Sequence, residues 1–215
     1  MSKLQRGTNR PLRRQAGKLR PRRTFQIFCE GTRTEPEYLA ALKRQPFVRD
    51  VASVDLRVDT GRSGSVPRTL VSSAIQAKER AKAGGADVDE FWCVFDVEWP
   101  QNHPDLAPAI DEAARAGIQV AVSNPCFELW LILHFRNQTG WLDSDDACRQ
   151  RCAADRSPDK GIDPSKYMDR VAEAEERAKA LAKQHAADGT VFPQDNPSSG
   201  MYGLLSAIRT PRKPE

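Results

Sequence analysis

Short apolar runs separated by helix-like segments make up much of the chain after its basic start. Four runs, at 25–29, 54–58, 91–95 and 118–123, have the length and apolar content of β-strands. The run at 91–95 has no polar member, which is expected of a central parallel strand covered on both faces. Because helical segments separate the strands, the pattern predicts an α/β fold with a parallel sheet of about four strands, built from right-handed βαβ units.

The segments between the strands carry helix signals. Thr34 and Glu37 have the spacing of a capping box, which predicts a helix that starts near Thr34. Apolar residues at three- and four-residue spacing predict a second helix that begins at Pro67 and ends at the glycines 84–85. A third helix is expected at about 105–116.

The pattern changes after Asn124-Pro125. Residues 126–135 are apolar nearly all round, which predicts a buried helix. Further helices are expected at about 145–154, 164–187 and 197–208. We therefore expect three parts: a basic, disordered arm at 1–23, an α/β domain at 24–135, and a helical C-terminal extension at 136–215 that packs on this domain.

Charge is distributed unevenly along the chain. Residues 1–23 contain nine basic side chains and no acidic one. Removing these nine from the 33 basic residues leaves 24 against 29 acidic ones, a formal charge of −5 for the rest of the chain. The arm is either a solvated, disordered tail or an electrostatic arm that contacts nucleic-acid phosphates, and the two interpretations are compatible.

Several classes of protein do not fit the sequence. There is no apolar stretch of the roughly 20 residues needed to cross a bilayer and no secretory signal, so we expect a soluble, cytoplasmic protein. The five cysteines are not paired as CxxC, so we expect them to be reduced, mostly buried and not zinc-binding. The loop at 61–65 lacks the spacing of an NTPase phosphate-binding loop, so the chain should not itself hydrolyse ATP.

Acidic residues follow two of the predicted strands. Glu30 comes directly after the first strand, and Asp96 and Glu98 come after the third. In open α/β sheets, ligands bind beyond the carboxyl ends of the strands. Carboxylates brought together there repel one another unless a cation neutralises them, and an all-oxygen ligand set suits Mg²⁺ or Mn²⁺. The sequence therefore predicts a divalent-metal site at this edge.

The sequence resembles a known family at these residues. A Glu-Gly after the first strand and an acidic pair after an apolar strand resemble the Toprim domain, and the further match is to the RloB family. Four segments in order carry the resemblance, which spans residue 25 to the C-terminus: 29–38 (CEGTRTEPEY), 94–98 (VFDVE), 123–135 (SNPCFELWLILHF) and, more weakly, 196–199 (NPSS).

The resemblance implies a Toprim-like fold with a bound divalent metal. It implies that Glu30 is a metal ligand or general base and that Asp96 and Glu98 are metal ligands, with Glu35 able to reach a second metal. The acidic pair here is Asp-x-Glu instead of the commoner Asp-x-Asp. Lys160 matches a position where the family suggests a lysine, which would offset charge on a transferring phosphate.

Other residues are candidates from their own placement. Glu128 lies in the apolar helix at 126–135, and a buried carboxylate needs a partner, either a metal or an arginine. Glu35 has an alternative role, since an acidic residue in the first turn of a helix is stabilised by the helix dipole. Candidate nucleic-acid contacts lie in the arm and in two loops: Arg10, Arg13, Arg14, Arg20, Arg22, Arg23, Arg33 and Arg62.

Two functional hypotheses of different classes follow. The first is a Mg²⁺- or Mn²⁺-dependent phosphodiesterase, a nuclease effector of bacterial anti-phage defence, because the resemblance implies a group linked to phage defence and restriction loci. The second is a non-catalytic, Toprim-like nucleic-acid-binding or regulatory subunit. The resemblance also implies an ATPase partner of the ABC or SMC type. The choice between DNA and RNA, transfer RNA included, stays open, as does homo-oligomerisation.

Overall fold

A computed structural model describes residues 22–58, 67–99, 104–157 and 161–210. Strands and helices alternate through the first part of the chain, and helices dominate the second. In chain order the elements are β1 (Arg23–Cys29), α1 (Thr34–Leu42), α2 (Pro46–Arg49), β2 (Ala52–Val58), α3 (Pro67–Ala83), β3 (Glu90–Asp96), α4 (Leu106–Ala116), β4 (Gln119–Asn124), α5 (Phe127–Leu133), α6 (Ser144–Asp155), α7 (Ser165–Met168), α8 (Val171–Ala187), β5 (Ser198–Ser199) and α9 (Met201–Arg209).

The sheet has the strand order β2-β1-β3-β4-β5. The first four strands are mutually parallel, which confirms the predicted α/β fold with a parallel sheet. The fifth strand, β5, pairs antiparallel with β4 and was not predicted. Its two residues, Ser198 and Ser199, are too few to produce a hydrophobic pattern. The mostly parallel sheet is compatible with a Toprim-like arrangement, which stays a prediction.

Strand β3 is buried on both faces, as its apolar sequence predicts. Phe91, Cys93 and Phe95 pack in a cluster with α3 and α4. Trp92 and Val94 point into the larger cluster on the other face, which includes residues of α1, α5, α8 and α9. This alternation follows from the two-residue period of a strand, so helices cover both sides of the sheet.

Three helices differ from their predicted form. Thr34 is the first residue of α1 and not its cap; Arg33 occupies the N-cap position and makes no side-chain capping hydrogen bond. Both Thr34 and the next residue, Glu35, are buried, so the side chains of the first turn of α1 face the interior of the protein. The single helix predicted at 164–187 is two helices, α7 and α8, and the last helix begins at Met201 because β5 precedes it.

The larger core cluster joins the two predicted parts of the chain. It contains residues of β1 and α5 together with residues of α8 and α9. Helix α5 contacts both α6 and α8, and α9 contacts β4. The helices after residue 135 therefore pack on the α/β portion, while the division at this residue stays a prediction.

Only the end of the predicted arm lies within the described residues, and residues 1–21 lie outside them. Arg23 belongs to β1, forms an ion pair with Glu90 and lies over the ring of Phe25, 4.9 Å from its centroid. Arg22 donates a hydrogen bond to the Arg49 carbonyl oxygen over 2.8 Å. Within the described ranges, no helix combines the length and apolar character needed to cross a bilayer.

Candidate metal centre

Glu30 and Asp96 are brought together by the pairing of β1 with β3. Cys29 pairs with Val94 in parallel register, and the Glu30 N–H donates to the Val94 carbonyl oxygen over 3.2 Å. The Glu30 carboxylate in turn accepts a hydrogen bond from the Asp96 N–H. The two strand-end carboxylates predicted from the sequence are therefore neighbours at the carboxyl edge of the sheet.

Glu98 has a backbone conformation that is unusual for its residue type. Its φ is 61°, in the left-handed region that non-glycine residues seldom adopt. The Val97 N–H donates to the Ser123 carbonyl oxygen over 3.0 Å, and the Glu98 N–H donates to the Pro125 carbonyl oxygen over 2.8 Å. These bonds hold the chain in a turn that buries Val97 and exposes Glu98.

A cavity of about 480 Å³ lies beside this edge of the sheet. Four of the predicted metal ligands line it, and the fifth, Glu30, adjoins it through its interaction with Asp96 and Glu98. The cavity is lined by Gly31, Thr32, Arg33, Thr34, Glu35, Asp96, Glu98, Trp99, Cys126, Glu128, Ser144, Asp145 and Cys148. The described structure thus gathers carboxylates from the β1–α1 loop, α1, the end of β3 and α5.

Burial and, after it, mutual repulsion raise the pKa values of three of these carboxyl groups. Burial, followed by the charge of Glu98, raises the pKa of Glu30 to about 7. Burial, followed by the charge of Glu128, raises the pKa of Glu35 to about 7. The pKa of Asp96 is well above its usual range because of burial and then the charges of Glu35 and Glu128. A divalent cation bound here would lower all three pKa values, because it favours the ionised form of each carboxyl group.

Asp96 has a buried oxygen atom that needs a partner. Its carboxylate accepts a hydrogen bond from the Phe127 N–H. Its Oδ1 atom is buried and has no hydrogen-bond partner in the structure of the described residues. A buried acceptor of this kind is rare in native proteins and fits a cation or a bound donor. The carboxylate oxygens around it fit Mg²⁺ or Mn²⁺.

The carboxylate side chains of the described residues do not form a complete metal-coordination site. Among the described residues, no group of three or more His, Cys, Asp or Glu side chains is placed so that it could hold a metal ion. Carboxylates of this cavity would therefore have to come closer to one another when a cation binds. This matches the burial and repulsion that raise the pKa values of Glu35 and Asp96 in the arrangement without a cation.

The basic candidates fall into three groups. Arg33 lines the cavity, where it is exposed and lies 3.9 Å from Glu37. Arg22 and Arg23 lie at the opposite end of β1 from Glu30, about 20 Å along a strand of this length. The remaining candidates, Lys160, Arg62, Arg10, Arg13, Arg14 and Arg20, lie outside the described residues.

Several residues on the cavity wall were missed by sequence reasoning. Cys126 lines the cavity next to Glu128, and burial together with that charge raises its pKa. Trp99 follows the acidic pair directly, which is the one sequence signal for its place. Ser144 and Cys148 are one helical turn apart at the start of α6. They reach the cavity beside the end of β3 through tertiary packing, which leaves no signal in the sequence.

His134, on the same segment as Glu128, is a structural residue. Its Nδ1 atom lies 2.9 Å from the Trp130 carbonyl oxygen, and its Nε2 atom lies 3.0 Å from the Tyr38 hydroxyl. Burial lowers its pKa to about 4. The neutral ring therefore belongs to the core behind the cavity and not to the site.

Comparison with known protein families agrees with the resemblance in the sequence. The model of a family described as RloB-like protein matches residues 25–208, most of the chain. The chain belongs to the RloB-like family. None of the curated proteins and none of the solved structures compared with it matches it. All the described carboxylates of this RloB-like site lie inside the matched region.

Proposed function

We propose that this RloB-like protein is a Mg²⁺- or Mn²⁺-dependent phosphodiesterase that cleaves nucleic acid. The observation that carries the proposal is the buried, unpartnered Oδ1 atom of Asp96 at the centre of a carboxylate cluster on the carboxyl edge of a parallel sheet. A cation held there would keep coordination positions open for water and phosphate oxygens, and would polarise the phosphorus centre.

The residues divide by position. Asp96, Glu35, Glu98 and Glu128 line the cavity and would hold the cation. Glu30 is set back from the wall, hydrogen-bonded to the Asp96 N–H. Its position beside Asp96 suits a general base that receives a proton from the attacking water. Lys160 would offset charge on the phosphate.

The biological setting proposed for this activity rests on the family resemblance. It comprises anti-phage defence in the bacterial cytoplasm and partnership with an ATPase of the ABC or SMC type. The basic residues at the start of the chain and Arg33 would contribute phosphate contacts. The substrate is nucleic acid, with DNA and RNA as the two classes to be tested.

A cleavage assay with matched variants tests the proposal. The full chain is incubated with single- and double-stranded DNA and with RNA, including transfer RNA, in Mg²⁺, Mn²⁺ or EDTA. We expect metal-dependent cleavage that Asp96→Asn and Glu30→Gln each reduce by at least about a hundredfold. Glu173→Gln, on the exposed face of α8, is the control and should leave the rate unchanged.

Two results would contradict the proposal. One is cleavage that persists in EDTA. The other is the absence of cleavage on every substrate combined with nucleic-acid binding that Asp96→Asn leaves unchanged and deletion of residues 1–21 abolishes. The second result would favour a non-catalytic binding subunit.

A further inference from the structure

Trp99 and Ser144 share two properties that the proposed metal site does not use. Both line the carboxylate cavity. Both also have a buried polar atom without a hydrogen-bond partner in the structure of the described residues, the indole Nε1 of Trp99 and the hydroxyl Oγ of Ser144. These atoms and Asp96 Oδ1 belong to residues of one cavity wall, although they come from separate parts of the chain.

The structure holds these two residues in fixed proximity. The Ser144 N–H donates to the Trp99 carbonyl oxygen over 3.2 Å. Ser144 begins α6, and the preceding residue, Asp143, caps this helix by accepting a hydrogen bond from the Asp146 N–H over 2.6 Å. The residue before Trp99 is also fixed, because the Glu98 N–H donates a hydrogen bond to the Pro125 carbonyl oxygen. The pair is therefore anchored to the sheet and to α6.

The unpartnered atoms specify the ligand chemistry. An indole N–H is a donor only, and a serine hydroxyl can donate as well, so both can be satisfied by an acceptor. Asp96 Oδ1 is an acceptor and needs a cation or a donor. Leaving buried polar atoms unpaired is costly, so the three together indicate a ligand that presents positive charge on one side and oxygen acceptors on the other. A metal-bound phosphate group has this character.

We propose that the Trp99 indole N–H and the Ser144 hydroxyl bind a non-bridging phosphate oxygen of the substrate, next to the metal held by Asp96 and the glutamates. This inference rests on the proposed function and adds the residues that recognise the phosphate. Because these two groups donate hydrogen bonds and do not contact a base, they bind phosphodiesters of either sugar type. They make the site selective for the phosphate and not for the sequence.

Indole NMR tests the contact directly. The chain has four tryptophans, so ¹⁵N-indole spectra of the full chain contain few signals, and Trp99→Phe identifies that of residue 99. A DNA dinucleotide, an RNA dinucleotide and inorganic phosphate are titrated in the presence of Mg²⁺. We expect the Trp99 indole signal to shift with saturation for all three probes and the signal of Trp141, which is 59% exposed, to stay in place.

Variants provide the second measurement. Ser144→Ala and Trp99→Phe should each weaken dinucleotide binding by about tenfold to a hundredfold, as expected for losing a hydrogen bond to a charged group. Ser144→Thr retains the hydroxyl and should restore most of the affinity. Controls are Trp141→Phe and Ser206→Ala, both at exposed positions. Thermal denaturation accompanies each variant, and Mn²⁺ affinity should stay near that of the parent chain.

The outcomes separate the two proposals. If Mg²⁺ or Mn²⁺ does not bind at all, the proposed function fails and this inference fails with it. If the metal binds and cleavage occurs, but the Trp99 signal does not move and Ser144→Ala binds dinucleotide like the parent chain, then this inference alone is overturned. The unpartnered atoms are in that case hydrated and take no part in recognition.

Discussion

A side chain at residue 31 would occupy the place of the Glu35 carboxylate. A Cβ atom built on Gly31 would lie 1.8 Å from Oε2 of Glu35, far inside van der Waals contact. Glu35 is 7% exposed, so its carboxylate cannot move aside without leaving a buried position. The Glu-Gly pair of the sequence therefore has two roles: Glu30 supplies a carboxylate and Gly31 makes room for another.

Gly31→Ala should weaken metal binding without removing any carboxylate. Because the added methyl group displaces Glu35, we expect the affinity for Mn²⁺ in isothermal titration calorimetry to fall by about tenfold or more. Gly140→Ala is the matched control, since a Cβ there has only an ordinary contact at 3.8 Å with Gln138 Nε2. Equal Mn²⁺ affinity in the parent chain and Gly31→Ala would show that Glu35 is not a ligand.

The stability of the metal-free protein should fall as the pH rises. The pKa values of Glu30 and Glu35 are raised from 4.5 to about 7, so the folded state holds protons that the unfolded state releases. The stabilisation from the protonated groups is fully present below pH 4.5 and is lost as the pH rises through about 7. Denaturant unfolding at pH 5 and pH 8 without metal should show a loss on the order of 1–3 kcal/mol.

Asp96→Asn tests whether ionising the buried carboxyl groups destabilises the metal-free protein. The amide cannot ionise, so the variant avoids the cost of ionising a buried carboxyl group whose pKa is strongly raised. Without metal, the stability of the variant relative to the parent chain should therefore increase from pH 5 to pH 8. Saturating Mg²⁺ should raise the stability of the parent chain relative to the variant, because only the parent chain gains binding energy. A parent chain that is equally stable at both pH values would contradict the raised pKa values of Glu30, Glu35 and Asp96.

Glu98 offers a test of stored backbone strain. Since its φ is 61°, Glu98→Gly should relieve a cost of about 1 kcal/mol and raise the melting temperature, while it removes a carboxylate from the site. Glu98→Gln keeps the backbone strain and loses only the charge. We expect both variants to lose metal affinity and only the glycine variant to gain stability at pH 5. A glycine variant that is less stable than the glutamine variant would be inconsistent with strain at this position.

The short strand β5 depends on a glycine at its end. A Cβ at Gly200 would lie 2.9 Å from the Val122 nitrogen and 3.0 Å from the Ala121 Cα atom, both in the backbone of β4. Gly200→Ala should therefore cost about 1–3 kcal/mol in denaturant unfolding. In α9, a Cβ at Gly203 would contact only Trp92 Cη2, at 3.9 Å. Gly203→Ala should therefore leave the free energy of unfolding unchanged or raise it by up to about 1 kcal/mol. Similar stabilities for the two variants would contradict the close approach of β5 to β4.

The parallel sheet could be predicted because its strands are buried and the pattern of apolar residues is local. The run ending at Phe95 is apolar on both faces, and Asp96 is the first polar residue after it. The sequence alone therefore predicts that Asp96 lies at the end of a strand. Strand β5 and the short helix α2 could not be predicted, because two and four residues do not establish a period. The break between α7 and α8 near Arg170 has no glycine or proline to mark it.

The candidate site was predictable only where its members end strands. Glu30 and Asp96 have this local signal, and the pairing of β1 with β3 joins them. Trp99 and Ser144 lie 45 positions apart and meet through the packing of α6 against the turn after β3, which no spacing rule predicts. The sequence therefore indicates most of the carboxylates of the cavity and Arg33, but not Trp99, Ser144 or Asp145.

The metal centre is tested most directly by anomalous diffraction from crystals of the full chain soaked in Mn²⁺. We predict an anomalous peak within coordination distance, about 2.2 Å, of Asp96 Oδ1 and of at least one carboxylate oxygen of Glu35, Glu98 or Glu128. The peak should be absent from Asp96→Asn crystals. No peak in this cavity at saturating Mn²⁺, or a peak that persists in Asp96→Asn, would contradict a metal centre held by Asp96.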